Sequence, residues 1–290
     1  MKVKQIHPLF AGEASGIDLS KPLAADDVEA INEAMNEYAV LVFRDQPLTQ
    51  TQQVELAKSF GPLDFGFKRL KKAPDRMEHA ELADISNVAD AGGTVGRNDR
   101  KIVSNIANQL WHSDSSFQKP AARYSMLAAV RVPGSGGDTE YADLRSAYDA
   151  LPEETKREIE GLQAEHYALH SRFLLGDTEY DEEQRNMLPP VLWPLVRTHA
   201  GSGRKHLFIG VHTRAIEGWT IAEGRMLLMD LLEHATQREF VYKHKWRPND
   251  LVIWDNRCTL HRGRRFDLNQ PRELRRATTL DVDHADQAAA

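Results

Sequence analysis

The chain has 290 residues, of which 41% are hydrophobic and 28% charged, as in ordinary soluble globular proteins. Its formal charge of -6 gives no reason to expect nucleic acid or an anionic membrane as a partner. The single cysteine, Cys258, excludes an internal disulfide and favours a reducing compartment. Neither a signal peptide nor a run of ~20 apolar residues is present. We therefore expect a soluble cytoplasmic protein, with a homo-oligomer as its assembly.

The first part of the chain predicts two helices around a short buried strand. Apolar residues recurring at three and four predict a helix over residues 24–38. The apolar run 39–43 predicts a buried strand. Thr49 fits the N-cap of a second helix, which we expect to end near Phe60.

Residues 64–108 form a long polar segment in which only 83–88 predicts a strand. A basic cluster lies early in this segment and consists of Lys68, Arg69, Lys71 and Lys72. Long polar loops within a domain are often lids or binding loops. We expect this segment to be a lid and the basic cluster to help an anion bind.

Short strands dominate the second half of the chain, with helices inserted among them. Strands are predicted at 124–132, 195–199, 206–209, 240–246, 251–254 and 274–282, and helices at 143–151, 152–162 and 220–235. Residues 164–193 have no clear periodicity and are predicted to be irregular. Because regular strand–helix alternation is missing, a mainly β fold, a sandwich or jelly roll with inserted helices, is favoured over a parallel α/β sheet. No linker is visible, so residues 1–290 are predicted to form one domain.

The segment Trp111-His112-Ser113-Asp114 carries the first candidate metal ligands. If it is extended, His112 and Asp114 lie on one face, because side chains two apart share a face of a strand. An imidazole and a carboxylate are two of the three ligands of a facial iron triad. The spacing alone is weak, since on the order of one His-x-Asp pair is expected by chance in such a chain.

A third ligand candidate, His261, follows the apolar run 251–254, although a lone histidine after a strand is usually structural. Arg272 and Arg276 follow it, and alternation places both on one face of the last strand. An arginine buried beside a metal would be costly without a counter-charge, which a dicarboxylate ligand would supply. Thr139, after a glycine turn, would present a hydroxyl to the same carboxylate. The alternative is a solvated basic face and a simple turn.

Together these motifs resemble the taurine and 2,4-dichlorophenoxyacetate dioxygenase family. The matching stretches are Trp111 to Asp114, Gly136-Gly137-Asp138-Thr139, Trp254-Asp255-Asn256-Arg257, His261-Arg262, Arg272 and Arg276. Further stretches are similar to the members that oxidise aryloxyacetates, among them 41–44, 83–88, 107–110, 120–127, 166–169 and 199–205. The resemblance covers nearly the whole chain.

The resemblance implies an oxidoreductase on a double-stranded β-helix, a cupin-like jelly roll, that needs Fe(II), 2-oxoglutarate and O2. In it His112, Asp114 and His261 bind the iron. Thr139 and Arg272 hold the distal carboxylate of 2-oxoglutarate, and Arg276 and Asn108 lie at the substrate. The implied reaction hydroxylates an aryloxyacetate, such as 2,4-dichlorophenoxyacetate, beside its ether oxygen, giving a phenol and glyoxylate with succinate and CO2.

Two alternatives stay open at this point. A related enzyme that acts on taurine, another sulfonate or a different aryl carboxylic acid would need the same arginines, so the motifs do not separate it. A non-catalytic metal-binding jelly roll would lack the threonine and the two arginines in register. Zinc would accept the same ligands, but an open site of two histidines and one carboxylate favours Fe(II). The candidates for an apolar aryl pocket are Met126, Tyr167, Phe173 and Trp193.

Overall fold

The computed structural model describes residues 1–66 and 76–282. In these ranges the strands are β1 Lys2–Gln5, β2 Gly12–Ser15, β3 Val40–Phe43, β4 Ala83–Ser86, β5 Ala122–Arg131, β6 Thr139–Asp143, β7 Gln163–His166, β8 Val191–Pro194, β9 Val196–Thr198, β10 Lys205–Leu207, β11 Thr213–Ile216, β12 Val241–His244, β13 Leu251–Asp255, β14 Thr259–Gly263 and β15 Glu273–Leu280. The α-helices there are α1 Ala25–Tyr38, α2 Gln50–Lys58, α3 Arg100–Ile106, α4 Leu144–Asp149, α5 Glu153–Ile159, α6 His170–Leu174, α7 Glu182–Met187 and α8 Ile221–Ala235. The expected mainly β class with inserted helices is confirmed.

Two sheets of this framework position the candidate ligands. Over the described ranges, the larger sheet has seven strands in the order β1-β2-β3-β13-β5-β15-β4, and the smaller has three in the order β12-β6-β14. Strands β2 and β3 are parallel, whereas the other pairs in both sheets are antiparallel. Successive side chains of a strand point to opposite faces of its sheet, and the two faces of an antiparallel sheet can have different environments. Alternate residues of the larger sheet therefore lie in two different surroundings.

One face of the larger sheet packs against helices α1 and α2. Along β13, Leu251 and Ile253 belong to a core cluster that includes Ile31 of α1 and Val54 of α2. Thr49 is the N-cap of α2, as predicted, and forms a capping box in which its hydroxyl accepts from the backbone N–H of Gln52. This face is mostly apolar and carries none of the candidate metal ligands.

The opposite face of the larger sheet meets the smaller sheet. Here Val252 and Trp254 of β13 and Leu274 of β15 pack against Tyr141 of β6. Since β14 pairs His261 with Tyr141, the imidazole shares this inner face. The candidate site therefore lies between the two sheets, where side chains from both converge.

The prediction that residues 164–193 are irregular is wrong. Strand β7 pairs with β8 on one side and β11 on the other, and α6 and α7 lie in the same stretch. Helix α3 was also not anticipated within the polar segment 64–108. The basic cluster Lys68 to Lys72 lies outside the described residues. In the part of the chain that is described, no helix combines the length and apolar character needed to span a bilayer.

Candidate metal centre and adjoining cavities

His112 and His261 are joined through their backbones, although they are far apart in the sequence. The His112 N–H donates to the His261 carbonyl (3.1 Å), and the His261 N–H donates back to the His112 carbonyl (2.8 Å). Their imidazole centroids are consequently only 4.0 Å apart. This isolated bridge brings the start of the His112–Asp114 segment alongside β14.

Asp114 completes a cluster with these two histidines. Its Oδ1 lies 3.9 Å from His112 Nε2, and its Oδ2 lies 3.8 Å from His261 Nε2. One potential ligand atom from each residue lies within 4.8 Å of the others. The segment is not a continuous strand, because the chain turns from Asp114 into Ser115, whose φ is +48°. His112 and Asp114 still present their side chains to one point, as the sequence predicted.

Burial and charge put all three side chains in the ionisation state that metal coordination requires. The residues are only 5–6% exposed. Burial lowers the pKa of His112 and places that of His261 well below its ordinary value, so both imidazoles are neutral. Burial alone would raise the pKa of Asp114, but the neighbouring Arg276 guanidinium is the largest opposing influence and the pKa is lowered to about 2. Two neutral imidazoles thus face one carboxylate.

The donor set fits a divalent metal ion. The Nδ1 of His112 lies 2.8 Å from the Leu110 carbonyl, which can only accept, so Nδ1 carries the proton. The other nitrogen, Nε2, is buried and has no hydrogen-bond partner among the described residues. An unprotonated, unpartnered imidazole nitrogen aimed at a carboxylate is what a metal ligand needs, and the backbone carbonyl fixes its orientation.

A hydrogen-bond network anchored on Asn256 holds Asp114, and sequence reasoning gave this residue no role. Asn256 Oδ1 accepts from the Asp114 N–H (3.1 Å) and from Trp254 Nε1 (2.9 Å). Its Nδ2 donates to Ser125 Oγ (2.9 Å), which donates to Asp114 Oδ2 (2.7 Å). Asn256 follows Trp254 in a matched motif, and Ser125 is a lone hydroxyl on the inner face of β5. The motif around Asn256 and the hydroxyl of Ser125 on that face were the sequence signals that could have identified these two residues.

Replacing Asn256 with alanine should weaken divalent-metal binding by about 10- to 100-fold, as is typical when a partner of a ligand is removed. The carboxylate would keep its charge but lose the groups that orient it. Titration of the metal-free protein with Mn(II) measures the effect. Ser125→Ala, which removes one link and leaves the Asn256–Asp114 contact, should give a smaller loss. Metal affinity unchanged in Asn256→Ala would contradict this positioning role.

One cavity beside the cluster is lined by a buried arginine, Arg272. It is lined in part by Thr139, His261 and Arg272. Arg272 donates from Nε and Nη2 to the Gly137 carbonyl (3.1 and 3.0 Å), and among the described residues no carboxylate is within ion-pair distance of it. Burial lowers its pKa to about 10. Thr139 Oγ1 accepts from Trp246 Nε1 (2.9 Å), so the hydroxyl proton is available to a carboxylate near Arg272.

A second cavity lies next to the first, and Arg276 and Asn108 line both cavities. Arg276 Nη1 donates to Asp114 Oδ1 (2.5 Å), and its side chain remains 22% exposed to the cavities. His112 and Asp114 line this second cavity, whereas His261 lines the first. The candidate metal cluster therefore lies at the junction of two chambers.

The four candidates for an apolar aryl pocket belong to core clusters or pack against them, and they lie outside this second cavity. None of Met126, Tyr167, Phe173 and Trp193 lines it; Met126 faces the helices across the larger sheet, and Trp193 packs on Phe208. The apolar wall is formed by Phe65, Ala83, Ile85, Phe117 and Val211. Tyr167 and Phe173 instead back Phe117 in a neighbouring cluster, which fixes that wall.

A second buried cluster, His199, Asp255 and Cys258, has metal-like spacing but structural partners. Asp255 already accepts from Arg257 Nη2 (2.6 Å) and lies 3.0 Å from His199 Nε2. Burial raises the pKa of the Cys258 thiol, so it is protonated at neutral pH. With its carboxylate paired and its thiol protonated, this cluster stabilises the fold and is a poor metal site.

Known proteins resemble the chain over nearly all of its length. A relative from Cupriavidus pinatubonensis, an alpha-ketoglutarate-dependent 2,4-dichlorophenoxyacetate dioxygenase, is 64% identical over 95% of this chain and 96% of its own. An (S)-phenoxypropionate/alpha-ketoglutarate-dioxygenase from Sphingobium herbicidovorans is 41% identical, covering 81% and 80%. The crystal structure of AAD-2 in complex with Mn(II) and N-oxalylglycine superposes with a TM-score of 0.90 at 46% identity, covering 97% of this chain and 98% of that one.

The family resemblance drawn from the motifs is confirmed by a direct family match. The sequence model described as "Taurine catabolism dioxygenase TauD, TfdA family" matches residues 2–278, which include every candidate ligand and both arginines of the two chambers. With its two sheets, its histidine–carboxylate cluster and its close relatives, the chain belongs to the TauD, TfdA family of dioxygenases.

Proposed function

We propose that this enzyme is an Fe(II)- and 2-oxoglutarate-dependent dioxygenase that hydroxylates an aryloxyacetate, with 2,4-dichlorophenoxyacetate as the reference substrate. The observation that carries the proposal is the position of the His112–Asp114–His261 cluster between two chambers. One chamber contains a buried arginine suited to a dicarboxylate, and the other has an apolar wall and an arginine suited to an aryl acid. The 64% identical relative named for the same reaction supports this substrate class.

In this proposal His112, Asp114 and His261 hold Fe(II), and Arg272 and Thr139 hold the distal carboxylate of 2-oxoglutarate. The Mn(II) and N-oxalylglycine in AAD-2 support both assignments, because N-oxalylglycine has 2-oxoglutarate's two carboxylates with an NH in place of one methylene. When bound, iron and 2-oxoglutarate supply an O2-dependent hydroxylation in which the keto acid leaves as succinate and CO2. The donor set of two imidazoles and one carboxylate leaves positions open for a chelating keto acid.

The residues of the chain orient the substrate and shield the reaction from water. Arg276, at the junction of the chambers, would pair with the substrate carboxylate and turn the methylene toward the metal. Asn108 lies on the same wall, and Ile85, Phe117 and Val211 would contact the ring. Hydroxylation beside the ether oxygen gives a hemiacetal that collapses to a phenol and glyoxylate.

We also propose the detailed fold, the single domain and the lid that the sequence predicted. The facing sheets support a double-stranded β-helix in one domain over residues 1–290. The segment 64–108 stays a proposed lid, and of its described residues Ile85, Asn105 and Asn108 line both chambers. A homo-oligomer in the cytoplasm stays a prediction from the sequence.

Product analysis tests this function. With Fe(II), 2-oxoglutarate and O2, the enzyme should convert 2,4-dichlorophenoxyacetate to 2,4-dichlorophenol and release succinate in equal amount. Taurine should release no succinate above the uncoupled background. Succinate release with taurine but not with the phenoxyacetate would overturn the substrate assignment and favour the sulfonate enzymes.

Arg276→Ala should raise the KM for 2,4-dichlorophenoxyacetate by about 30-fold or more, because removing one partner of a desolvated charge pair costs about 2 kcal/mol or more. Iron binding should change less. Arg275→Ala is the matched control, since this neighbour on β15 donates to the Leu48 carbonyl on the opposite face. Steady-state kinetics at saturating 2-oxoglutarate make the comparison. A wild-type KM in Arg276→Ala would discard the assigned role.

A further inference from the structure

A third cavity opens to solvent beside the chamber assigned to 2-oxoglutarate. The two share lining residues, namely Ile106, Gln109, Gly263 and Arg264. The outer cavity is also lined by Lys243 and Arg265. These two residues and Arg264 are exposed at the surface. Among the described residues it shares no lining residue with the substrate chamber, so the outer cavity adjoins the 2-oxoglutarate chamber alone.

Cations outnumber carboxylates around this opening. Lys243 pairs with Asp138 (2.9 Å), and Arg262 and Arg264 share Glu140 (2.8 and 3.7 Å). Arg265 forms no ion pair within the described ranges. The opening is therefore positive in a chain whose formal charge is -6. A positive cleft in a negative protein concentrates anions near its mouth and raises their association rate.

The substrate chamber has no comparable surplus of cations. Its lining carries four carboxylates, those of Asp64, Glu81, Asp84 and Asp114, against the two guanidinium groups of Arg172 and Arg276. Asp84 is also paired with Lys101 (2.5 Å) and with Arg76 (2.8 Å), so the charges around this chamber are close to balanced. A dianion approaching the protein is thus attracted more strongly to the opening beside Arg264 than to the rim of the substrate chamber.

We propose that 2-oxoglutarate enters, and succinate leaves, through this basic opening formed by Lys243, Arg264 and Arg265, separately from the aryloxyacetate. The proposal rests on the proposed function, since it takes 2-oxoglutarate as the ligand of the Thr139–Arg272 chamber. The entering dianion passes Arg264, which lines both cavities, and reaches Arg272 at the inner end. The two ligands then meet at the metal from different sides.

Stopped-flow binding of 2-oxoglutarate to the anaerobic Fe(II) enzyme tests the route, with the metal-to-ligand charge-transfer band as the signal. In Arg264→Glu/Arg265→Glu the association rate constant should fall about tenfold at low ionic strength, the low end of electrostatic steering. The dissociation rate constant should stay unchanged, and the dependence of association on salt should flatten. Arg157→Glu makes the same charge change per residue on α5 at an exposed position that lines none of the three cavities, and should leave the association rate unchanged.

A second experiment tests whether the routes are separate. Saturating 2,4-dichlorophenoxyacetate should leave the wild-type association rate of 2-oxoglutarate within about twofold. Association blocked by the aryloxyacetate, or a double variant with wild-type association, would overturn the route. A faster dissociation without slower association would also overturn it, by showing that the arginines hold bound 2-oxoglutarate. Absence of the band in the wild type would instead remove the proposed function itself.

Discussion

Replacing His261 with alanine should abolish measurable hydroxylation, a loss of at least about 10³-fold. The variant keeps Asp114 and His112 but retains only one imidazole, and a two-ligand site does not hold Fe(II) at working concentrations. The measurement is an anaerobic titration with Fe(II) in the presence of 2-oxoglutarate, following the charge-transfer band. Phenol release under air gives the activity of the same preparation.

His234→Ala is the matched control for this experiment. His234 is a half-buried histidine on α8 that lies 2.8 Å from the Ala147 carbonyl and lines none of the three cavities. Its loss should lower stability slightly and leave iron binding intact. If His261→Ala formed the band at the same Fe(II) concentration as the wild type, His261 would not be a ligand.

Arg272→Met should raise the KM for 2-oxoglutarate on the order of 10²–10³-fold, because the distal carboxylate loses a two-pronged, buried partner. Fe(II) binding without the keto acid should change little. The same variant should unfold at a higher temperature than the wild type when no 2-oxoglutarate is present. The reason is that a buried guanidinium with no carboxylate partner is costly, and a methionine fills much of its volume without a charge.

Two measurements separate this role from a purely structural one. Thermal unfolding of the wild type should shift upward with added 2-oxoglutarate, whereas Arg272→Met should show almost no shift at the same concentration. The shift in unfolding temperature for Arg272→Lys should lie between those of the wild type and Arg272→Met, since an amine keeps the charge but not the fork of donors. A lower unfolding temperature together with an unchanged KM would mean that Arg272 serves the fold alone.

The convergence of the candidate site residues could be predicted in part, because strand alternation and residue type act together. Alternation placed Arg272 and Arg276 on one face, and the His112–Asp114 spacing pointed two ligands to one place even though the chain turns after them. The proximity of His261 to them came from the family resemblance. No local pattern joins residues that meet only through backbone pairing of distant segments.

What the sequence could not supply were the contacts made across the fold. The Asn256 network links Asp114, Ser125 and Trp254, and its members are polar residues whose partners are set by tertiary packing. Met126 was misplaced because β5 is apolar on both faces, so parity does not reveal which face meets the metal. Strand β7 was missed because its alternating polar residues are stabilised by β8 and β11 and not by their own propensity.

The paired backbone hydrogen bonds between His112 and His261 have a consequence for how the protein meets its metal. The imidazoles are spaced by main-chain geometry, so little conformational entropy remains to be lost when an ion arrives. Amide hydrogen exchange at these two residues should therefore be slow in the apoprotein and should slow little further on loading. A cavity prepared in this way discriminates weakly among ions of similar size, so redox-inert divalent cations should compete for it and act as inhibitors.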